Sequence, residues 1–340
     1  MLVNLHDSLS IASKLTPKRI ANASRIWWGY QRSKNSGKAK MNGFPVSMAI
    51  EPTTACNLRC PECPSGLRSF TRPTGKLDVT LFEKIMNEVS GHLMYLTFYF
   101  QGEPYLNPQF LDMVKIAGQH GIYTTTSTNA HFLDDENAKR TIESGLNRLI
   151  ISIDGSTQET YESYRKEGDL EKVLEGTRNI LKWRKELRAT SPKVVWQFLV
   201  VKPNENQIPE IEKLAKEYGV DKVAFKTAQI YDYKNGSELI PTINKYSRYK
   251  EGPDGTFTIK NKLEDKCWKM WNSCVITWDG QVIPCCFDKD ASHSFGNVSQ
   301  ESFKDIWFSR QYQNFRNALF SSRSEIEICK NCSEGLSVWA

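Results

Sequence analysis

The sequence lacks the long apolar run that a membrane span needs. Its best stretch, Leu93 to Phe100, is interrupted by Thr97, whereas a crossing helix takes roughly 18 apolar residues. No signal-peptide core stands near the N-terminus, so a cytoplasmic, reducing environment is expected. Cysteines are too few for a disulfide scaffold. There are nine in 340 residues, an odd number in clustered positions, which points to metal or redox chemistry. The body also lacks an excess of either charge. Residues 1–45 carry eight Lys/Arg against Asp7 alone, or +7, and the rest carries −1, giving the total of +6. A nearly neutral body excludes the basic face of a nucleic-acid binder. Hydrophobic residues at 39% and charged residues at 25% exclude a disordered or fibrous chain. The length suits about two domains.

Three regions emerge. In residues 1–45, Leu5, Leu9, Ile20, Ala23 and Trp27 fall at helical spacing that Pro17 interrupts, and Arg32 to Gly43 reads as a linker. This basic arm is expected as a helix on the outside of the body. A weak membrane-surface contact through Trp27–Trp28 and a transit peptide are the alternatives. Residues 46–235 alternate. Strand-like runs occur at 46–50, 93–100, 122–126, 148–153, 194–201 and 222–225. Helical patterns lie between them, beginning near Thr80, Leu170 and Pro209. Six β/α units in series imply an α/β fold with a parallel sheet and outer helices, either a barrel or doubly wound. Residues 236–340 open with loop signals and hold six of the nine cysteines. Cys274 to Pro284 reads as a hairpin turning at Asp279–Gly280, and Ser302 to Leu319 as one helix.

The first strand opens into Cys56-Asn-Leu-Arg-Cys60-Pro-Glu-Cys63. Three thiolates in eight residues can wrap one cubane and leave the fourth iron open for a substrate or cofactor. A structural zinc would ask for a fourth, distant ligand, and buried free thiols are the blander alternative. The C-x3-C-x2-C spacing after a first strand resembles the radical S-adenosylmethionine superfamily. The resemblance implies a partial (β/α)6 TIM-like barrel, a 4Fe-4S cluster that binds S-adenosylmethionine, and reductive cleavage to a 5′-deoxyadenosyl radical. It also implies an electron donor such as flavodoxin or ferredoxin. Glu62 departs from the pattern, since the family more often has an aromatic residue before the third cysteine.

Further motifs fall at strand ends, where barrel active sites assemble. Gln101-Gly102-Glu103-Pro104 resembles the family's Gly-Gly-Glu-Pro turn, with Gln101 in place of the first glycine, and implies contacts to the methionyl amine. Thr128 and Asn129 supply polar groups suited to ribose hydroxyls, or else cap a loop. By the same resemblance, Ser152 and Asp154 line the cofactor pocket and Arg165 takes the methionyl carboxylate. A surface arginine is the plain alternative. The face of Gln197 stays open, as do the roles of Asp288, Asp290, Tyr231 and Glu103 in proton or hydrogen-atom transfer.

The C-terminal order Cys267, Gly280, Cys285, then Cys329-Lys-Asn-Cys332 resembles the SPASM/twitch extension, a β-hairpin-plus-helix module for an auxiliary iron–sulfur cluster. The implied ligands are Cys267, Cys285, Cys329 and Cys332. Cys274 could replace Cys267, Cys286 reads as a packed thiol, and a structural zinc is the alternative to the auxiliary 4Fe-4S cluster. The expected function is hydrogen-atom abstraction leading to net oxidation of a small molecule, because the auxiliary module is short. Modification of a peptide or protein is the alternative, and an iron–sulfur electron carrier is the non-enzymatic one.

Overall fold

The expected runs of β-branched and aromatic residues do become strands, in a computed structural model that describes residues 5–333, with side chains from Leu9 onward. Two helices come first, α1 (Leu5–Ala12) and α2 (Pro17–Ser36). The alternating part then runs β1 (Ser47–Ile50), α3 (Pro64–Leu67), α4 (Val79–Val89), β2 (Tyr95–Thr97), α5 (Phe110–Gln119), β3 (Tyr123–Thr128), α6 (Asp135–Glu143) and β4 (Arg148–Ser152). It continues with α7 (Gln158–Tyr164), α8 (Leu170–Glu186), β5 (Lys193–Val200), α9 (Ile208–Tyr218) and β6 (Lys222–Thr227). The last third supplies β7 (Tyr249–Glu251), β8 (Phe257–Ile259), α10 (Lys269–Asn272), β9 (Ser273–Ile276), β10 (Val282–Ile283), α11 (Phe303–Trp307) and α12 (Arg310–Ala318).

Strands β1 to β6 pair in chain order, all parallel. Helices cover the outer face, so β3 and β5 are buried along almost their whole length, as a sheet covered on both faces requires. Local chemistry sets the helix starts. Asp78 caps α4 by accepting from Thr80 N at 2.8 Å, and Pro209 stands in the first turn of α9. This is the α/β partial barrel that the family resemblance implied, where the six-unit pattern alone left barrel and doubly wound sheet open.

Two details differ from the sequence reading. The stretch 302–319 is two helices, because Ser309 leaves the helical path and caps α12 through Tyr312 N at 3.1 Å. The C-terminal hairpin is also no appendage. Strand β9 pairs in parallel with β1, from Ser47↔Ser273 to Ile50↔Ile276, and β10 pairs antiparallel with β9. The barrel sheet therefore has eight strands, ordered β10-β9-β1-β2-β3-β4-β5-β6. The turn follows the expected chemistry: Gly280 has φ 91°, and Thr277 Oγ1 donates to Asp279 Oδ1 at 2.6 Å.

Helix α2 lies against the body along one face. Pro17 starts it rather than breaking it, with Thr16 as the cap. Arg19, 4% exposed, donates to the carbonyls of Lys14, Gly121, Ser90 and His120 at 2.6 to 2.9 Å. Ile26 is fully buried, and Tyr30 sits edge-on to Trp268 and Trp271. The segment after it is pinned too: Lys40 O accepts from Trp271 Nε1 at 3.4 Å and Gly43 O from Trp307 Nε1 at 2.8 Å. Ile20, Trp27 and Trp28 face outward. Among the described residues no helix is long and apolar enough to cross a membrane.

Arg19→Ala is expected to lower unfolding free energy by about 2–3 kcal/mol, since charge-assisted hydrogen bonds are lost and buried carbonyls are left bare. Trp27→Ala should stay within about 0.5 kcal/mol of the parent. Anaerobic urea titrations would check both, and equal midpoints for the parent and Arg19→Ala would make α2 an ornament.

Candidate active site

The three N-terminal cysteines follow β1 in a loop tied to the turn after β2, where Glu103 N donates to Ala55 O at 2.8 Å, and to the segment after α7, where Arg59 N donates to Lys166 O at 3.0 Å. Cys60 is buried and Cys56 and Cys63 are half-buried. Cys56 lies in the field of Cys60 and Cys63, and Cys60 in that of Cys63, so the three form one group. Burial is the main reason the Cys56 thiol is pushed up to about 12. A thiol set this costly to ionise alone suits a bound cation that supplies the missing positive charge. Among the described residues, no three His, Cys, Asp or Glu side chains converge as ligands of a single ion. A cubane spreads its thiolates over separate irons, a wider arrangement than a one-ion site.

The turn after β2 wraps this loop. Gly102 has φ +73°, and a Cβ there would stand 2.2 Å from Thr53 O, so no other residue fits. Its N–H donates to Ser65 Oγ at 2.9 Å, and Gln101 Oε1 lies 3.9 Å from Cys63 Sγ. Glu103 is 2% exposed and accepts from Thr128 Oγ1 at 2.7 Å and Asn129 N at 2.8 Å. Burial, the largest cause, pushes its carboxyl up to about 7 against those two hydrogen bonds. Asn129 also reaches the cysteine loop, donating to Asn57 Oδ1 at 2.7 Å. Thr128 and Asn129 thus hold Glu103 in this structure.

Arg165 follows α7. Its Nε donates to Asp154 Oδ2 at 2.5 Å, and Nη1 lies 3.8 Å from Cys60 Sγ. Asp154 is fully buried and also accepts from Leu199 N at 2.7 Å. It orients Arg165 from behind. Ser152 is buried at the end of β4, paired with Gln197 of β5.

The second cysteine group forms around Arg323, which is 2% exposed and lies in the field of Cys267, Cys332 and Cys329. Its Nη2 donates to Cys332 Sγ at 3.4 Å. Cys285 lies in the field of Cys286 and, more weakly, of Cys267. Cys274, by contrast, sits within β9 opposite Met48, 1% exposed, beside Arg316. Cys286 is not packed: it is exposed, 3.6 Å from Lys269 Nζ. Asn331, between Cys329 and Cys332, donates to Ile230 O at 2.8 Å and accepts from Tyr249 Oη at 3.1 Å.

One cavity of about 760 Å3 joins the two groups. Cys63, Gln101, Gly102 and Arg165 line it together with Cys267, Cys285, Cys329 and Cys332. Gln197 faces into it, which alternation alone left undecided. Glu103, Thr128, Asn129, Ser152 and Asp154 stand behind this wall. The undecided acids have structural work: Asp288 accepts from Ser292 N and His293 N, and Asp290 accepts from Thr71 N and Oγ1.

Sequence reasoning missed the pair that binds the halves together. Glu51, fully buried at the end of β1, accepts from Arg72 Nη1 at 2.9 Å and Nη2 at 2.6 Å. Trp278 N of the hairpin turn donates to the same carboxylate at 3.2 Å, and Arg72 Nε donates to Lys289 O at 3.2 Å. An acid closing a strand and an arginine after the cysteine loop carry no motif, so only the fold reveals the contact.

The profile of the radical SAM superfamily matches residues 50–218, and that of the SPASM iron-sulfur cluster-binding domain matches residues 267–333. The chain belongs to the radical SAM superfamily. It is an enzyme of that class, with a cluster that binds S-adenosylmethionine and a C-terminal iron–sulfur domain. It is 29% identical over 321 residues to the tungsten-containing aldehyde ferredoxin oxidoreductase cofactor-modifying protein of Pyrococcus furiosus, covering 84% of this chain and 86% of that one. It is 25% identical over 314 residues to the PqqA peptide cyclase of Gluconobacter oxydans, covering 87% and 84%. The crystal structure of Streptococcus suis SuiB bound to precursor peptide SuiA superposes with a TM-score of 0.62 at 13% identity, over 89% of this chain and 72% of that one. That likeness speaks to the fold.

Arg72→Met is expected to cost about 3–5 kcal/mol, because Glu51 is left as a buried, uncompensated charge. Adding Glu51→Leu should return a large part of the loss. Urea unfolding of the holoenzyme gives the coupling, and a double variant no better than Arg72→Met would show that the pair does not act as a unit.

Proposed function

We propose that this radical SAM enzyme oxidatively modifies a side chain of a peptide or protein. The observation that carries the reading is one cavity lined both by Cys63 of the first group and by Cys267, Cys285, Cys329 and Cys332. Cys56, Cys60 and Cys63 would hold the first cluster, and Cys267, Cys285, Cys329 and Cys332 the auxiliary one. When bound, the first cluster with S-adenosylmethionine supplies hydrogen-atom abstraction, and the auxiliary cluster supplies a one-electron acceptor. The small-molecule substrate expected from the short auxiliary module has less support than a peptide. Similarity along most of the chain to a peptide cyclase weighs toward the peptide. A second reading, favoured by likeness to the cofactor-modifying protein, makes the target a protein-bound cofactor.

The chain's own groups suit the methionyl end of S-adenosylmethionine. Arg165, fixed by Asp154, presents a planar guanidinium to a carboxylate. Glu103 Oε1 accepts from Thr128 Oγ1 and Tyr105 N and Oε2 from Asn129 N, which leaves one lone pair on Oε2 for an ammonium. An amine beside it favours the ionised carboxyl, reversing the effect of burial. Gln101 and Gly102 shape the wall between this site and Cys63.

Anaerobically purified enzyme should contain about eight irons with matching sulfide, as two cubanes require. Cys329→Ala should lose about four of them, together with net product formation. About four irons plus one zinc in the parent would instead mark the C-terminal site as structural. Incubation with S-adenosylmethionine, reductant and candidate peptides should give 5′-deoxyadenosine and a peptide lighter by hydrogen. Release of 5′-deoxyadenosine that responds to no peptide would sink the substrate assignment.

A further inference from the structure

The charge along the cavity wall is lopsided. Six cationic side chains line it, from Arg165, Lys226, Arg248, Lys269, Lys289 and Arg323, against one carboxylate, Glu62. Three of these cations stand against sulfur: Arg165 lies beside Cys60, Arg323 donates to Cys332 and Lys269 donates to Cys286. The remaining three come from separate segments. Lys226 is at the end of β6, Arg248 precedes β7, and Lys289 follows the auxiliary hairpin.

These three crowd one another. The ammonium of Lys226 is pulled down to about 8, by burial first and by Arg248 next, with Lys289 contributing. Arg248 also feels burial foremost, and its side chain is 7% exposed. Its two hydrogen bonds both go to Thr227, to Oγ1 and O at 2.9 Å. Among the described residues, neither Arg248 nor Lys289 has a carboxylate within ion-pair distance. Lys289 Nζ lies over the Tyr231 ring at 4.6 Å in the field of Cys63 and Glu62, and the Glu62 carboxylate accepts from Tyr231 N at 2.9 Å. Three like charges in a partly desolvated space repel, and an anion between them removes that cost. A guanidinium held from one side by Thr227 keeps N–H donors for a second acceptor.

We infer that the substrate enters this cavity by an anionic group, a carboxylate or a phosphate, gripped between Lys226, Arg248 and Lys289. The inference deepens the proposed function by naming the feature of the substrate that is read. For a peptide it is an acidic side chain near the modified position. For a cofactor or other small molecule it is a phosphate or free carboxylate.

The test uses holoenzyme with S-adenosylmethionine under anaerobic conditions. The probes are a fluorescein-labelled Glu-rich hexapeptide, its Gln counterpart, and inorganic pyrophosphate and glutarate as competitors. The Glu peptide should bind at least about tenfold more tightly than the Gln peptide, and added salt should erase most of the difference. Arg248→Gln and Lys289→Gln should each weaken the Glu peptide about tenfold or more and leave the Gln peptide alone. Lys289 is only half-buried, so its variant serves if Arg248→Gln does not fold. Lys245→Gln, an exposed cation outside the cavity, is the control for general charge. Equal binding of the two peptides, with neither variant mattering, overturns the anionic site and leaves the peptide reading standing. Binding of pyrophosphate or glutarate that the variants abolish, with no peptide bound, upholds the anionic site and overturns the peptide reading. Preference for pyrophosphate over glutarate assigns the anion as phosphate, and the reverse as carboxylate.

Discussion

A single buried carboxylate sets the spacing of this molecule's two sulfur-rich sites. Glu51 ends β1, five residues before Cys56, and Arg72 lies nine residues after Cys63. Their bidentate pair closes the cysteine loop at its base. The third donor on Glu51 is Trp278 N, in the hairpin turn that leads to Cys285. Arg72 meanwhile holds Lys289 O, just beyond that cysteine. Burial raises the Glu51 carboxyl above its usual range, and Arg72 works against that by hydrogen bonding and charge. Such a pair is costly to desolvate and gains little net stability over an apolar replacement. Its value lies in direction: three donors on two oxygens allow one arrangement of loop, strand and hairpin.

The same logic recurs beside the sulfurs. Arg165 stands by Cys60, Arg323 by Cys332, and Arg316 near Cys274. Each guanidinium is held from behind, by Asp154, by the carbonyls of Glu264 and Lys266, and by those of Met270 and Trp307. A cation fixed in this way stabilises a thiolate, and later a cluster of net negative charge, without swinging into the cavity. Lys226, Arg248 and Lys289 line the cavity as well. Their charge faces whatever fills the space between the two cysteine groups.

Much of this was legible in the sequence, for identifiable reasons. The strands were plain because β-branched runs of the right length sit between amphipathic helices. The loop motifs were plain because chemistry fixes their spacing, as at Cys56, Cys60 and Cys63, or their backbone, as at Gly102. Partner choice was not legible. Thr128 and Asn129 suggest ribose ligands as short polar groups at a strand end, yet they bind Glu103, a partner 25 residues upstream. The break at Ser309 was hidden because the apolar positions continue at helical spacing across it. The packing of α2 was hidden because Arg19, a charged residue, makes its deepest contact. Lys226 carried one usable signal, a cation where the sixth strand ends, and Arg248 carried none.

The sheet is open between β10 and β6, yet its ends are not independent. At one end, β9 pairs with β1, and Trp271 and Trp307 lock the auxiliary module to the chain that enters β1. At the other, Asn331 ties the loop of Cys329 and Cys332 to Ile230 and Tyr249, just past β6. The auxiliary module thus spans from the first strand to the last and completes the ring that the six β/α units leave unfinished. The separation of the two cysteine groups then follows from sheet geometry and not from the long connection between residues 228 and 266. Rigid walls suit hydrogen-atom abstraction, where the reacting atoms must meet and water must stay out. A substrate that enters between them has to match the charge it finds there.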